Sequence, residues 1–167
     1  DPELKAVCSV PANLASICSE WASRQVFPKT EVLEEIIWSR ASKASSQTAS
    51  QEKVSMALDA LSSLAFSMKE SGGNGTEFNT ASLGQLSTRI GFDIARLLSP
   101  GVIYPFSFSR YAFSSGLIRD YLASRSLAAQ FLEAATSQSP PSFGDWADER
   151  TIALCLGVLS DLLLRPD

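Results

Sequence analysis

The sequence predicts a mainly α fold with one short β-hairpin, and three observations carry that expectation. Apolar residues recur at i, i+3, i+4 and i+7 over most of the chain, the spacing of a buried helix face. Alternation of large and small residues appears once, from Val102 to Phe113, where Tyr104, Phe106 and Phe108 and then Tyr111 and Phe113 are spaced as in strands. Directly after Phe113 the period lengthens to near 3.6, and Leu117, Ile118, Tyr121, Leu122, Arg125, Ala128, Ala129 and Leu132 trace one long helix. Ser114 or Ser115 stands at that join, where a hydroxyl oxygen can satisfy an orphan amide of the new helix.

In chain order, Leu4, Val7 and Cys8 begin a helical pattern that Pro11 interrupts, because proline has no N–H for an interior bond. Leu14, Ile17, Cys18 and Trp21 then mark a second short helix, and Gln25 to Lys29 connects it onward. Thr30 is expected as the N-cap of a helix whose stripe is Val32, Leu33, Ile36 and Ile37, with Glu31 and Glu34 at its positive start. The serine-rich stretch from Arg40 to Gln51 reads as a helix tail followed by a flexible connector. A helix from Gln51 to Lys69, with Val54, Leu58, Leu61, Ala65 and Met68 on its apolar side, stops at Gly72-Gly73. Ser71 to Glu77 reads as an exposed turn. Thr80 is expected to cap a short helix bearing Leu83, Leu86 and Ile90, and a second short helix with Phe92, Ile94, Leu97 and Leu98 ends before Pro100-Gly101. In the alternating segment Pro105 suits only an edge strand or a turn. After the long helix, Thr136 to Asp145 is a loop, and Asp145 or Asp148 caps a last helix with Ile152, Cys155, Leu156, Leu159 and Leu163 spaced for burial. The opposite side of that helix also carries Leu154, Val158 and Leu162, so it needs neighbours on more than one side.

Three helices, a hairpin and a long helix follow the element order of a winged helix with an added C-terminal helix. The expected organisation is a helical subdomain over residues 1–48, a winged-helix domain over 49–135 and the start of a following helical domain over 136–167. At 167 residues a real core is available, since a compact chain of about 150 residues buries roughly 70% of its unfolded surface. The chain starts at Asp1 without methionine and ends Arg-Pro-Asp, which suggests a piece of a longer protein.

Composition removes several kinds of chemistry. Histidine is absent, so no Ser-His-Asp or Cys-His site can be built from this chain alone. No GxxxxGK[ST] loop occurs, and Gly72-Gly73-Asn74-Gly75 lacks both the lysine and the strand-loop-helix setting of a phosphate loop. Adjacent carboxylates such as Glu34-Glu35 and Asp148-Glu149 point apart on a helix and form no acid–base pair. Metal-ligand spacing is lacking as well. Cys8, Cys18 and Cys155 are odd in number, lack a CxxC pair and lie in apolar patterns, which favours reduced thiols and a cytoplasmic setting. In that setting the Asn74-Gly75-Thr76 triplet is no glycosylation acceptor. No apolar run is long enough to span a bilayer. These features make an enzyme the last reading for the chain itself.

The stretch YAFSSGLIRDYLASRSL, Tyr111 to Leu127, resembles the segment that closes the winged-helix domain in NACHT-type NTPases of the STAND class, the class of the NLR immune sensors. Tyr111, Phe113, Ile118, Arg119, Asp120, Tyr121, Leu122 and Ala123 fall on successive positions of the pattern F-x-F-x-H-x-x-F-Q-E-Y-L-A-A-x-x-L. CSVPANLASICSEW (Cys8 to Trp21), KTEVLEEII (Lys29 to Ile37) and the final GDWADERTIALCLGVLSDLL are similar to flanking helices of that family. The resemblance implies a regulatory lid that closes over ADP or ATP bound by an intramolecular P-loop domain, here absent, and controls homo-oligomerisation of the parent protein in innate-immune signalling. It also implies two nucleotide-facing positions, Pro11 beside the adenine and Ser115 at the phosphates. Ser115 replaces the family's histidine with a shorter side chain that cannot become cationic. Arg110 on the wing could supply that charge, or be an ordinary surface arginine. The competing readings are a winged-helix nucleic-acid binder and a helical protein-interaction scaffold. The first has little electrostatic support, because the net charge is −4 and the candidate recognition helix offers only Arg89.

Overall fold

The computed structural model describes residues 29–44, 50–73, 75–136, 144 and 146–164. The helices expected before residue 29, with Pro11, Cys8 and Cys18, lie outside them, as do residues 45–49, Asn74 and Asp145. The described residues form α1 (Lys29–Ala44), α2 (Gln51–Glu70), β1 (Glu77–Asn79), α3 (Thr80–Ile90), α4 (Ile94–Leu98), β2 (Ile103–Ser107), β3 (Arg110–Phe113), α5 (Gly116–Thr136) and α6 (Glu149–Leu164). The fold is mainly α with a small antiparallel sheet. The order helix, strand, two helices and hairpin from α2 to β3 is that expected of a winged helix, with α1 before it and α5 and α6 after it.

Helix ends follow local chemistry. Ser50 caps α2 by accepting from the Lys53 amide at 3.4 Å. At its far end Gly72 takes a left-handed φ of 76°, which lets the Gly73 amide donate to the Met68 carbonyl at 2.9 Å. The cap of α3 is Asn79, whose side-chain oxygen accepts from Ala81, so the expected cap, Thr80, is instead the first helical residue. Asparagine at this junction closes the turn and ends β1 in one residue. Asp93 caps α4 and Asp148 caps α6, the latter accepting from the Thr151 amide at 2.7 Å.

The expected hairpin is present as β2–β3, and β1 extends it to a three-stranded sheet. Its order is β1-β3-β2, and β1 pairs Glu77 with Ala112, Phe78 with Tyr111 and Asn79 with Arg110. Glu77, read as the end of a turn, is extended together with Phe78 and Asn79, because Phe78 needs an apolar site. Its ring lies 5.0 Å from that of Phe113 and stacks on Tyr111 at 6.3 Å. Pro105 sits on the edge strand β2, where its missing N–H costs no inner ladder bond.

One apolar cluster runs through all six helices, including Ile37 of α1, Leu58 and Leu61 of α2, Leu98 of α4, Leu122 of α5 and Cys155 of α6. The cluster therefore continues across the chain positions of both expected domain boundaries. The most extensive pairing is α2 against α5, with α6 covering α5 and reaching α1. At the α1–α6 crossing a Cβ on Gly157 would lie 2.5 Å from Thr30 Cγ2, so only glycine allows this approach. Thr30 is thus no cap: it is buried within α1 and donates through Oγ1 to Asp161 Oδ2 at 2.6 Å.

α6 buries parts of both its sides, as its two apolar stripes require. Cys155 of the first stripe and Leu154 and Val158 of the second are enclosed, whereas Leu156 and Leu163, expected to be buried, are exposed. Being apolar all round, the helix gives periodicity nothing to choose with, and the polar bonds of Thr151 and Asp161 set its rotation. Burial pushes the Cys155 thiol up to about 11, which keeps it protonated at neutral pH.

Leu122 is fully enclosed where α5 meets the rest of the core. Leu122→Ala is expected to lower stability by about 2–5 kcal/mol. Urea unfolding followed by circular dichroism checks this, and an unchanged midpoint would remove Leu122 from the core.

Candidate functional site

The β3–α5 joint brings three elements together. β3 ends at Phe113, whose amide donates to Thr76, and the Ser114 amide donates to the Val102 carbonyl at 2.9 Å. These bonds hold the two serines against the entrance of α5. Ser115 Oγ accepts from the Ile118 amide at 3.1 Å, and its carbonyl accepts from Arg119. Of the two serines offered as a cap, Ser115 therefore acts. Ser114 Oγ instead accepts from Arg40 Nη1 of α1 at 2.8 Å, and the same nitrogen lies 3.3 Å from the Gly101 carbonyl. Burial lowers the Arg40 pKa, but guanidinium retains its charge. A fixed cation and the positive end of a long helix thus share one corner.

Of the two sequence-predicted site residues, Ser115 lies in this corner, half-buried, and Pro11 is outside the described residues. Arg110 is not at the corner's service: it pairs with Glu77 Oε2 on β1 at 2.9 Å and is 61% exposed. Arg40 was not among the sequence candidates. Its position at the tail of a helix before a serine-rich connector carries no signal of where that tail docks.

One turn into α5, the molecule buries a set of charges. Asp120 Oδ1 accepts from Arg119 Nε at 2.9 Å and Nη2 at 2.6 Å, and Lys69 Nζ lies 3.3 Å away. Arg119 Nη1 also donates to the Gly75 carbonyl at 2.7 Å. Lys69 donates to Thr151 Oγ1 at 2.7 Å and to Asp148 Oδ2 at 2.9 Å, while Ser124 Oγ donates to the Asp120 and Thr151 carbonyls. Arg150 reaches the other Asp120 oxygen at 3.5 Å. Lys69, Arg119 and Asp120 are all buried, so each charge depends on the others for solvation. The network joins α2, α5 and the start of α6. Its bonds run between helices, so it acts as a structural clamp.

No protein-family model matches the chain, and no curated protein is significantly similar to it.

The clamp has a pH signature. Burial would raise the Asp148 carboxyl, but hydrogen bonds from Thr151 and Lys69 and the Lys69 charge outweigh it and hold the carboxyl at about 2. A carboxylate depressed on folding stabilises the protein fully above its unfolded value and loses that contribution as pH falls through the folded one. Stability is therefore expected to drop between pH 3.8 and about 2. Since the Asp148 side chain is 56% exposed, its share is on the order of 1 kcal/mol after screening. Urea midpoints of wild type and Asp148→Asn should converge across that window, and a constant gap would show that Asp148 does not titrate there.

Proposed function

We propose that this chain is the regulatory helical and winged-helix module of a NACHT-like signalling ATPase, closing over ADP or ATP held by a P-loop domain and controlling oligomerisation of the parent protein. The observation that carries the reading is the corner at the start of α5, where the Arg40 guanidinium is bonded to Ser114 and the next residue, Ser115, caps the helix N-terminus. By resemblance Ser115 occupies the phosphate-facing position. Arg40 supplies there the positive charge that a serine lacks, and it does so from α1 instead of from the wing.

Two further features fit a module that docks on a neighbouring domain. Tyr104, Phe106 and Phe108 project from the hairpin, with Phe108 fully exposed, and Leu156, Leu162 and Leu163 are exposed on α6. For nucleic acid the chemistry is poor, since α3 carries Arg89 as its one basic residue.

The reading predicts a GxxxxGK[ST] loop and an acidic Mg²⁺-binding strand in the coding sequence upstream of Asp1, and a start codon adjoining Asp1 would end it. In the parent protein Arg40→Met should speed ADP release by roughly tenfold, the loss of one charge-assisted hydrogen bond. Ser115→His should slow release. Stopped-flow displacement of a fluorescent ADP measures both, and rates unchanged in both variants would place the corner away from the nucleotide.

A further inference from the structure

α6 keeps an apolar stripe that the described helices leave largely uncovered. Ile152, Leu156, Leu159 and Leu163 recur at i, i+4, i+7 and i+11, the spacing of one helix face. At about 100° per residue this stripe lies roughly 120° round the helix from Thr151, Leu154, Cys155 and Val158, the residues that enter the core. Leu156 and Leu163 are 55% and 71% exposed, and Ile152 and Leu159 are partly so. Four aliphatic side chains in a row over successive turns form a ridge on which another helix can pack.

A stripe of matching kind occurs in the sequence shortly before α1. Leu14, Ile17, Cys18 and Trp21 stand at i, i+3, i+4 and i+7, in a segment outside the described residues. Its tether limits where it can go. α1 starts at Lys29, and the next residue, Thr30, is fixed to α6 by its bond to Asp161 and its packing on Gly157. Residues 22–28 join Trp21 to that point, and a connector of this length reaches at most about 23–25 Å. Half-way round a helix about 10–12 Å across is roughly 16–19 Å, so the connector can carry the segment to the far side of α6. So short a tether holds the two stripes at an effective concentration on the order of millimolar. The exposed aromatics of the hairpin are another apolar surface, but the hairpin meets the opposite end of α1, where Arg40 reaches Gly101 and Ser114.

We propose that residues 14–21 dock within the same chain along Ile152, Leu156, Leu159 and Leu163, so that α6 is gripped between this segment and α1. The contact does not depend on the ATPase reading. It assigns Leu156 and Leu163 to the chain itself and leaves the hairpin aromatics and Leu162 to a neighbouring domain.

Cross-linking of the 167-residue chain tests the contact. Cys18 lies in the segment's own stripe, Cys8→Ser removes the neighbouring thiol, and Cys155 can stay because its buried thiol is protonated at neutral pH. A second cysteine is introduced singly as Leu156→Cys, Leu163→Cys or, for comparison, Phe108→Cys, all at exposed positions outside the core. With a short bis-maleimide, at least one of the two α6 variants is expected to form the intramolecular link to Cys18 about fivefold faster than Phe108→Cys does. Adding Ile17→Asp should bring that rate down to the Phe108→Cys level. A link between two chains would give the stripe to a second copy and overturn the proposal. So would no link from either α6 position, a rate no higher than that of Phe108→Cys, or a rate that Ile17→Asp leaves unchanged. If circular dichroism shows that Ile17→Asp does not fold, the comparison between the α6 and hairpin positions decides alone.

Discussion

The Asp120 carboxylate is the interaction on which the arrangement of the helices depends. It lies on the core side of α5 and draws Arg119, Lys69 and Arg150 to itself. A buried ion set of this kind adds little net stability relative to apolar side chains of the same volume, because desolvation consumes most of the attraction. Losing one member costs about 3–5 kcal/mol, since the others remain buried without a partner. The physical value of the network is therefore in selection. Hydrophobic contact alone would accept several rotations of α6, which is apolar on every side, and the bonds from Lys69 and Ser124 to Thr151 accept one.

That division explains what was legible in the sequence. The helix from Gln51, the short α4, the hairpin and the serine cap of α5 follow from period, turn residues and caps, which act within a few residues of each other. β1 was missed because a three-residue strand with one apolar side chain has no period to detect, and its extension depends on β3, more than thirty residues away. The exposure of Leu156 and Leu163 on α6 and the role of Thr30 are not legible for the same reason: the deciding partners are distant in sequence. Lys69 left a trace that could have been used. Leu58, Ser62, Ala65 and Lys69 fall at i, i+4, i+7 and i+11, which places a lysine on the buried side of α2 and implies a carboxylate facing it.

Of the candidate site, the sequence shows the serine at the joint but not the cation beside it. Arg40 becomes notable only when α1 is laid against the β2–β3 region, so that its guanidinium meets Ser114 and Gly101. A cleft of about 430 Å³ framed by α1, α2, α5 and α6 is wholly a product of assembly. Its four charged residues come from four helices, and no spacing in the chain relates Glu34 to Asp59, Arg125 or Asp161.

The close crossing of α1 over α6 at Gly157 has a mechanical side. α1 is held there by the packing of the Thr30 side chain on Gly157 and by the Thr30–Asp161 bond. Ten residues on, about 15 Å along its axis, Arg40 is held as closely, with its backbone against Gly101 and its guanidinium on Ser114. Fastened near both ends, the helix is a strut that sets the spacing between α6 and the entrance of α5.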